Sequence, residues 1–178
     1  MSSPSAKLLV FVSDKLACVK ITGRANFTSS IDFKTLINEL MEQGYICFVL
    51  DLSECMLMDS TFLGVLAGFG LKLGMPQNGQ PNGRSIELLN PNPRVAELLD
   101  NLGVMHLFHV VSGPNPAAAN GAAGQMPVPE LNSSREEVVS NCLEAHKILM
   151  EIDPANVAKF KEVALFLAED LKKIKGAQ

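Results

Sequence analysis

Apolar residues fall in short, dense runs through the first hundred residues and recur at three- and four-residue steps toward the end of the chain. Leu8 to Val12 and Ala17 to Thr22 are β-rich runs separated by Ser13-Asp14-Lys15, a spacing that predicts a tight antiparallel hairpin. Gly23 to Asn26 reads as a loop, after which Thr28, Ser29 or Ser30 caps a helix. Its apolar positions Ile31, Leu36, Ile37, Leu40 and Met41 keep helical spacing until Gly44 stops it. Tyr45 to Leu52 is continuously apolar through its middle, as a central strand covered on both faces must be. A short loop leads to Asp59-Ser60-Thr61 and a helix carrying Phe62, Leu63, Val65, Leu66, Phe69 and Leu73. Gly64 and Gly68 each weaken that helix by ~1 kcal/mol but permit close approach of a neighbour, so packing is the expected compensation.

Met75 to Gly83 is rich in turn formers and predicts an exposed loop. Ser85 to Leu89 then reads as a fourth strand, Asn92 to Asn101 as a helix with Val95, Leu98 and Leu99 inward, and Leu107 to Val111 as a fifth strand. Strands alternating with helices define an α/β fold: a mixed β-sheet of about five strands covered by helices, mostly parallel, with the opening hairpin antiparallel. Residues 1–111 form this domain. Residues 112–129 carry no charge and hold four prolines, three glycines and five alanines, the composition of a linker that buries little. In 130–178, Ser133-x-x-Glu136 has the form of a capping box opening a helix through Met150, with Val139, Cys142, Leu143, His146 and Leu149 or Met150 on one side. Asp153-Pro154 opens a second helix with Val157, Phe160, Ala164, Leu167, Leu171 and Ile174 as its stripe. Two helices alone cannot bury both stripes, so this C-terminal helical hairpin must dock on the domain, on a second copy or on a partner.

Composition narrows the function. The 178 residues allow one full domain and an appendage. Residues 1–111 hold 8 basic and 10 acidic side chains and residues 112–178 hold 7 and 9, so each part carries −2 and neither has the basic footprint of a nucleic-acid reader. The chain is 47% hydrophobic with no Trp, one Tyr and nine Phe, which predicts an aliphatic, Met-filled core. No apolar run approaches the ~20 residues needed for direct membrane insertion. Cys18, Cys47, Cys55 and Cys142 form no C-x-x-C pair, so reduced thiols in a cytoplasmic protein are expected. A metal site at His106-x-x-His109 is not expected, because a spacing of three at a strand places the rings on opposite faces. Gly64, Gly68, Gly70 and Gly74 lack the Lys-Ser/Thr of a nucleotide loop, and no Ser-His-Asp order or paired carboxylate stands out. The expectation is a non-enzyme with no catalytic residues, no metal and no cofactor.

The informative stretch joins the buried strand to a helix N-terminus: Asp51 and Leu52 end the strand, and Met58-Asp59-Ser60-Thr61-Phe62-Leu63-Gly64-Val65-Leu66 opens the helix. It resembles the STAS family, the domain of anti-sigma factor antagonists, whose members carry Asp-Leu, a few loop residues and then Met-Asp-Ser-Ser-Gly-Leu-Gly-Val-Leu. The likeness extends over about residues 7–111, including Gly23 after the second strand and Val95, Leu98, Leu99, Gly103 and Phe108 later. Two positions depart from the pattern: Phe62 replaces the family's Gly, and Gly23-Arg24-Ala25-Asn26 replaces a loop with acidic residues.

On the residues alone, Asp59 or Ser60 is an N-cap. The resemblance implies more: Ser60 as phosphoacceptor with Thr61 as backup, and Asp59, Phe62, Leu63, Gly23, Arg24, Ala25 and Asn26 as the partner-binding surface. On this reading Phe62 is an exposed aromatic anchor beside the switch. A phosphate at a helix N-terminus is tolerated by the dipole, yet about −1.5 to −2 added charges beside Asp59 repel a closely docked partner. The implied function is a phosphorylation-switchable bacterial signalling module that regulates transcription or stress responses. Its implied partners are an anti-sigma factor or serine kinase and a serine phosphatase. The alternatives are a STAS subunit of a membrane transport complex, and a non-phosphorylated scaffold that forms homo-oligomers through residues 130–178.

Overall fold

The computed structural model describes residues 6–74, 83–116 and 126–177. Strands β1 (Lys7–Ser13) and β2 (Leu16–Ala25) pair antiparallel around the two-residue turn Asp14-Lys15, where Asp14 takes φ 50, a left-handed conformation that Asp tolerates. Helix α1 (Phe27–Glu42), β3 (Cys47–Asp51), β4 (Cys55–Met58), α2 (Ser60–Gly74), β5 (Ser85–Leu89), α3 (Pro93–Asn101), a 3-10 turn (Met105–Leu107) and β6 (His109–Val111) follow. The chain continues with β7 (Met126–Pro127), α4 (Arg135–Ile152) and α5 (Ala155–Gly176). The sheet runs β6-β5-β3-β2-β1-β7, with β4 also pairing β2; β1–β2 and β1–β7 are antiparallel and the other pairs parallel.

The α/β expectation holds, and to the five expected strands the structure adds β4 and β7. Period-two alternation sorts the sheet's two faces. Ala17, Val19, Ile21, Phe48, Leu50, Ile86 and Leu88 face the main core beneath the helices, while Phe11, Cys18, Val49 and Leu89 form a small cluster on the other face. Helices α1 and α2 cover the main face, and α4, packed on α2 and backed by α5, forms a third layer. The hairpin therefore docks on the domain of its own chain.

Several local expectations are corrected. Gly23 to Asn26 is not a free loop: β2 runs to Ala25 and bulges at Gly23, whose φ of 81 needs glycine, so that Arg24 and Ala25 pair with Leu57 and Met58 of β4. The α1 cap is Asn26 rather than Thr28, Ser29 or Ser30; its side chain accepts from the Thr28 and Ser29 N–H groups, and its own N–H donates to the Ser29 hydroxyl oxygen. At α4 the capping box sits one residue later than expected, on Ser134 and Glu137. The fifth strand shortens to His109–Val111 behind the 3-10 turn. The presumed linker is partly structured, because Met126 and Pro127 pair with β1 and the Asn115 amide donates to Asp51 (2.6 Å); residues 117–125, and 75–82 of the expected loop, lie outside the described residues.

Candidate functional site

Asp59 organises the start of α2. Its N–H donates to the Ala25 carbonyl (2.9 Å), its Oδ1 accepts the Phe62 N–H (2.8 Å) and its backbone carbonyl accepts the Leu63 N–H (3.0 Å). These bonds make it the N-cap. Its other carboxylate oxygen, Oδ2, reaches across to the first residue of α1 and accepts the Phe27 N–H (2.7 Å). One carboxylate thus joins the β4–α2 turn to the β2–α1 turn. Burial raises the Asp59 carboxyl above the ordinary aspartate value, outweighing the Phe62 and Phe27 amides and the nearby His146 that favour its charge.

Ser60 follows immediately, half-buried, with its Oγ 2.8 Å from Nε2 of His146 on α4. The other ring nitrogen of His146, Nδ1, lies 2.6 Å from the Cys142 carbonyl. A carbonyl only accepts, so Nδ1 carries its hydrogen and donates; in that tautomer Nε2 is the acceptor for the Ser60 O–H. His146 is 5% exposed and its ring meets Phe160 of α5 edge-on, centroids 5.1 Å apart. Thr61 is buried, and its hydroxyl bonds the Cys142 side chain; burial raises that thiol, the Thr61 bond opposes the rise and the Asp59 charge adds to it.

The α2–α4 contact is as tight as backbones allow. A Cβ placed on Gly64 would lie 2.4 Å from the Ala145 carbonyl oxygen, and one on Gly68 would lie 3.1 Å from Ile148 Cδ1. Here the packing expected to offset two helical glycines is found. Beside it the Asn141 amide donates to Ser30 Oγ (2.9 Å), whose hydroxyl donates to the Phe27 carbonyl (2.6 Å), and Lys34 pairs with Glu144 (2.9 Å) at the rim.

Of the residues expected at the site, the structure brings together Asp59, Ser60, Thr61 and, through Phe27, the turn after Asn26. It does not present Phe62 or Leu63, which are 0% and 1% exposed. Phe62 is a core residue: its ring packs 5.0 Å from that of Phe33, which also meets Phe69 edge-on. The exposed-anchor reading is thereby corrected. Ala25 is likewise buried, Gly23 serves the bulge, Asn26 is half-buried and spent on the α1 cap, and Arg24 stays exposed opposite Leu57. His146 and Cys142 were the residues missed. The available signal was α2 itself, whose only charged side chain is Lys72: a helix apolar on nearly all sides needs cover on its outer face too. Among the described residues no group of His, Cys, Asp and Glu could hold a metal ion, and no helix is long and apolar enough to cross a membrane.

The Asp59 geometry carries a pH prediction. A folded-state value raised above the ordinary 3.8 means that the native chain holds this proton more tightly than the unfolded chain. Asp59's contribution to stability is then full below the unfolded value and is lost as pH rises through the folded one. Asp59→Asn keeps an acceptor for one N–H and loses the other, costing about 1 kcal/mol at neutral pH. The native chain's advantage over this variant, read from denaturant midpoints, is expected to widen toward the acid edge of the window. Asp32 and Asp51 are common to both chains and cancel. An advantage that narrows on acidification would contradict the assignment.

A profile of the STAS domain matches residues 8–115, and the chain belongs to that family. No curated protein matches at a significant level. Solved structures share the fold. The unphosphorylated anti-sigma factor antagonist SpoIIAA is 18% identical, with a TM-score of 0.51 over 66% of this chain and 96% of its own. An anti-sigma factor antagonist from Mycobacterium paratuberculosis is 19% identical, with 0.52 over 68% and 97%. The Bacillus cell fate determinant SpoIIAA in its phosphorylated form is 16% identical, with 0.50 over 64% and 96%. The family match ends at residue 115, so α4 and α5 lie outside it.

Proposed function

We propose that this STAS domain is a non-enzymatic protein-binding module of the anti-sigma factor antagonist type, switched by phosphorylation at Ser60. The observation that supports this most is the placement of Ser60 at the first turn of α2, directly after an Asp59 that ties the two turns of that face together. The helix dipole favours an anion there, and a phosphate beside a buried carboxylate makes the surface repellent to an acidic or closely fitted partner. Ser60 and His146 stand at the distance of a nucleophile and its base, but Nδ1 faces a backbone carbonyl instead of a carboxylate and α4 lies over the hydroxyl. That arrangement favours a switch over a hydrolase.

The partners on this reading are an anti-sigma factor with serine kinase activity and a phosphatase that resets Ser60, in the bacterial cytoplasm. Mass spectrometry of the protein from its host is expected to place phosphate on Ser60, and Ser60→Asp is expected to lose a partner that the native chain captures. Bare Ser60 under all growth and stress conditions, with equal capture by the variant, would sink the proposal. The alternative of an assembly element has its own support, because Val163, Leu165 and Phe166 are 43%, 58% and 68% exposed on α5.

A further inference from the structure

We propose that the α4–α5 hairpin is an intramolecular cap on the Ser60 face, and that docking of the cap and phosphorylation of Ser60 exclude each other. The inference rests on the reading of Ser60 as phosphoacceptor and adds how access to it is controlled. Its basis is the contact between α2 and α4. Ser60 and Gly64 lie four residues apart on one side of α2, opposite His146 and Ala145 on α4. At Gly64 the two backbones already meet closely enough that a single added methyl would overlap the Ala145 carbonyl. No slack in helix spacing is available there.

At Ser60 the His146 imidazole stands 2.8 Å from Oγ and occupies the α4 side of the half-buried hydroxyl. That ring cannot simply turn aside, because Nδ1 is held by the Cys142 carbonyl and Phe160 of α5 stands against it. The charge beside the site is the Asp59 carboxylate at the start of α2. Among the described residues no lysine or arginine is seen bonded to Ser60, and Lys34, at the rim of the α4 contact, is paired with Glu144. A group carrying about two negative charges therefore meets a carboxylate and a wall of side chains.

Phosphorylation would join Ser60 Oγ to the γ-phosphorus of a nucleoside triphosphate held by the kinase. The bond from that phosphorus to the β–γ bridging oxygen breaks, the diphosphate leaves, and the hydroxyl proton passes to a base. The docked hairpin holds Oγ in a bond to His146 and covers that side of it, so a kinase has to displace this contact to free the hydroxyl. Shielding acts on the rate of modification; separately, a phosphate already on Ser60 shifts the docking equilibrium of the hairpin through its own bulk and charge. A protein partner that reads the α2 face competes with α4 in the same way. The hairpin is thus a cis occupant of the surface that a trans partner would use.

The test uses the full chain with phosphoserine installed at position 60, with no need for the natural kinase. Two readouts report cap release: hydrogen exchange of the α4 amides, and alkylation of Cys142, which is half-buried on the docked face. Both are expected to speed up at least about tenfold over the unmodified chain, while β2, β3 and β5 amides stay protected. Should the phosphoserine chain fail to fold, Ala145→Arg in a Ser60→Cys background supplies the converse. Lifting α4 by its own substitution is expected to speed alkylation of residue 60 about tenfold. Unchanged α4 exchange and Cys142 labelling in a folded phosphoserine chain would overturn the cap while leaving Ser60 as a phosphoacceptor. Cap release in vitro with no phosphate on Ser60 in the host would instead overturn the phosphorylation reading and leave the exclusion standing.

Discussion

Phe62→Ala is expected to cost about 3–5 kcal/mol of folding free energy, a large part of the ~5–15 kcal/mol that holds a domain of this size together. Phe62 lies in the first turn of α2 with its ring fully buried, 5.0 Å from Phe33, which in turn meets Phe69 at 6.0 Å. Removing the ring leaves a hole against the Phe33 ring of α1, and neither α1 nor α2 can collapse into it, because both pack on the sheet and α2 is also held by α4. Phe62→Leu retains most of the volume and is expected to cost less than about 1.5 kcal/mol. Equilibrium denaturation reads both. If Phe62 were the surface anchor that its place beside Ser60 suggests, Phe62→Ala would leave stability within about 0.5 kcal/mol of the native chain and act on binding alone. The burial of the ring decides for the first outcome.

Phe62 also marks where local sequence stops being informative. The strands over Leu8 to Val12, Tyr45 to Leu52 and Ser85 to Leu89, and helices α1 to α5, were legible because each carries its own periodicity or apolar run. Boundaries were legible only where one residue type could serve. Several polar residues competed for the α1 cap, and Asn26 won because β2 extends to Ala25 and leaves Asn26 in the extended conformation a cap requires. Strand β4, at Cys55–Met58, has four residues and no pattern of its own, and exists through its pairing with β2. At the site, Asp59, Ser60 and Thr61 were readable from an Asp-Ser-Thr triplet before an apolar run. The orientation of residue 62 depends on the roll of α2 about its axis. Which helix covers Ser60 is a contact across 86 residues of sequence, and no local spacing encodes it.

The glycines of α2 did encode part of that contact, and they supply the second large effect. In an exposed helix Gly→Ala gains about 1 kcal/mol by restricting the unfolded chain and solvating less backbone. At Gly74 a Cβ meets nothing within 4 Å, so Gly74→Ala is expected to be neutral or to stabilise by up to that amount. At Gly64 the same methyl would sit 2.4 Å from a backbone carbonyl oxygen, which cannot rotate away as a side chain can. To restore ordinary contact α4 must withdraw by about 1 Å, and close-packed interfaces do not stretch gradually. The Ser60–His146 and Asn141–Ser30 bonds are lost in the same movement. Gly64→Ala is therefore expected to cost a net 2–3 kcal/mol, roughly the overpacking penalty and two partly buried hydrogen bonds less the helix gain. Because the strands of the sheet pair with one another and α4 packs on the helices over them, the loss should fall mainly on the hairpin and on the α1 edge that Asn141 and Glu144 hold. The hairpin amides exchange early while those of β2, β3 and β5 stay protected. One substitution with opposite signs at two positions of one helix isolates the α4 contact from helix propensity. Equal stabilisation at both glycines would mean that α4 does not rest on α2 in solution, and the cap would fall with it, while the STAS fold and the place of Ser60 within it would not.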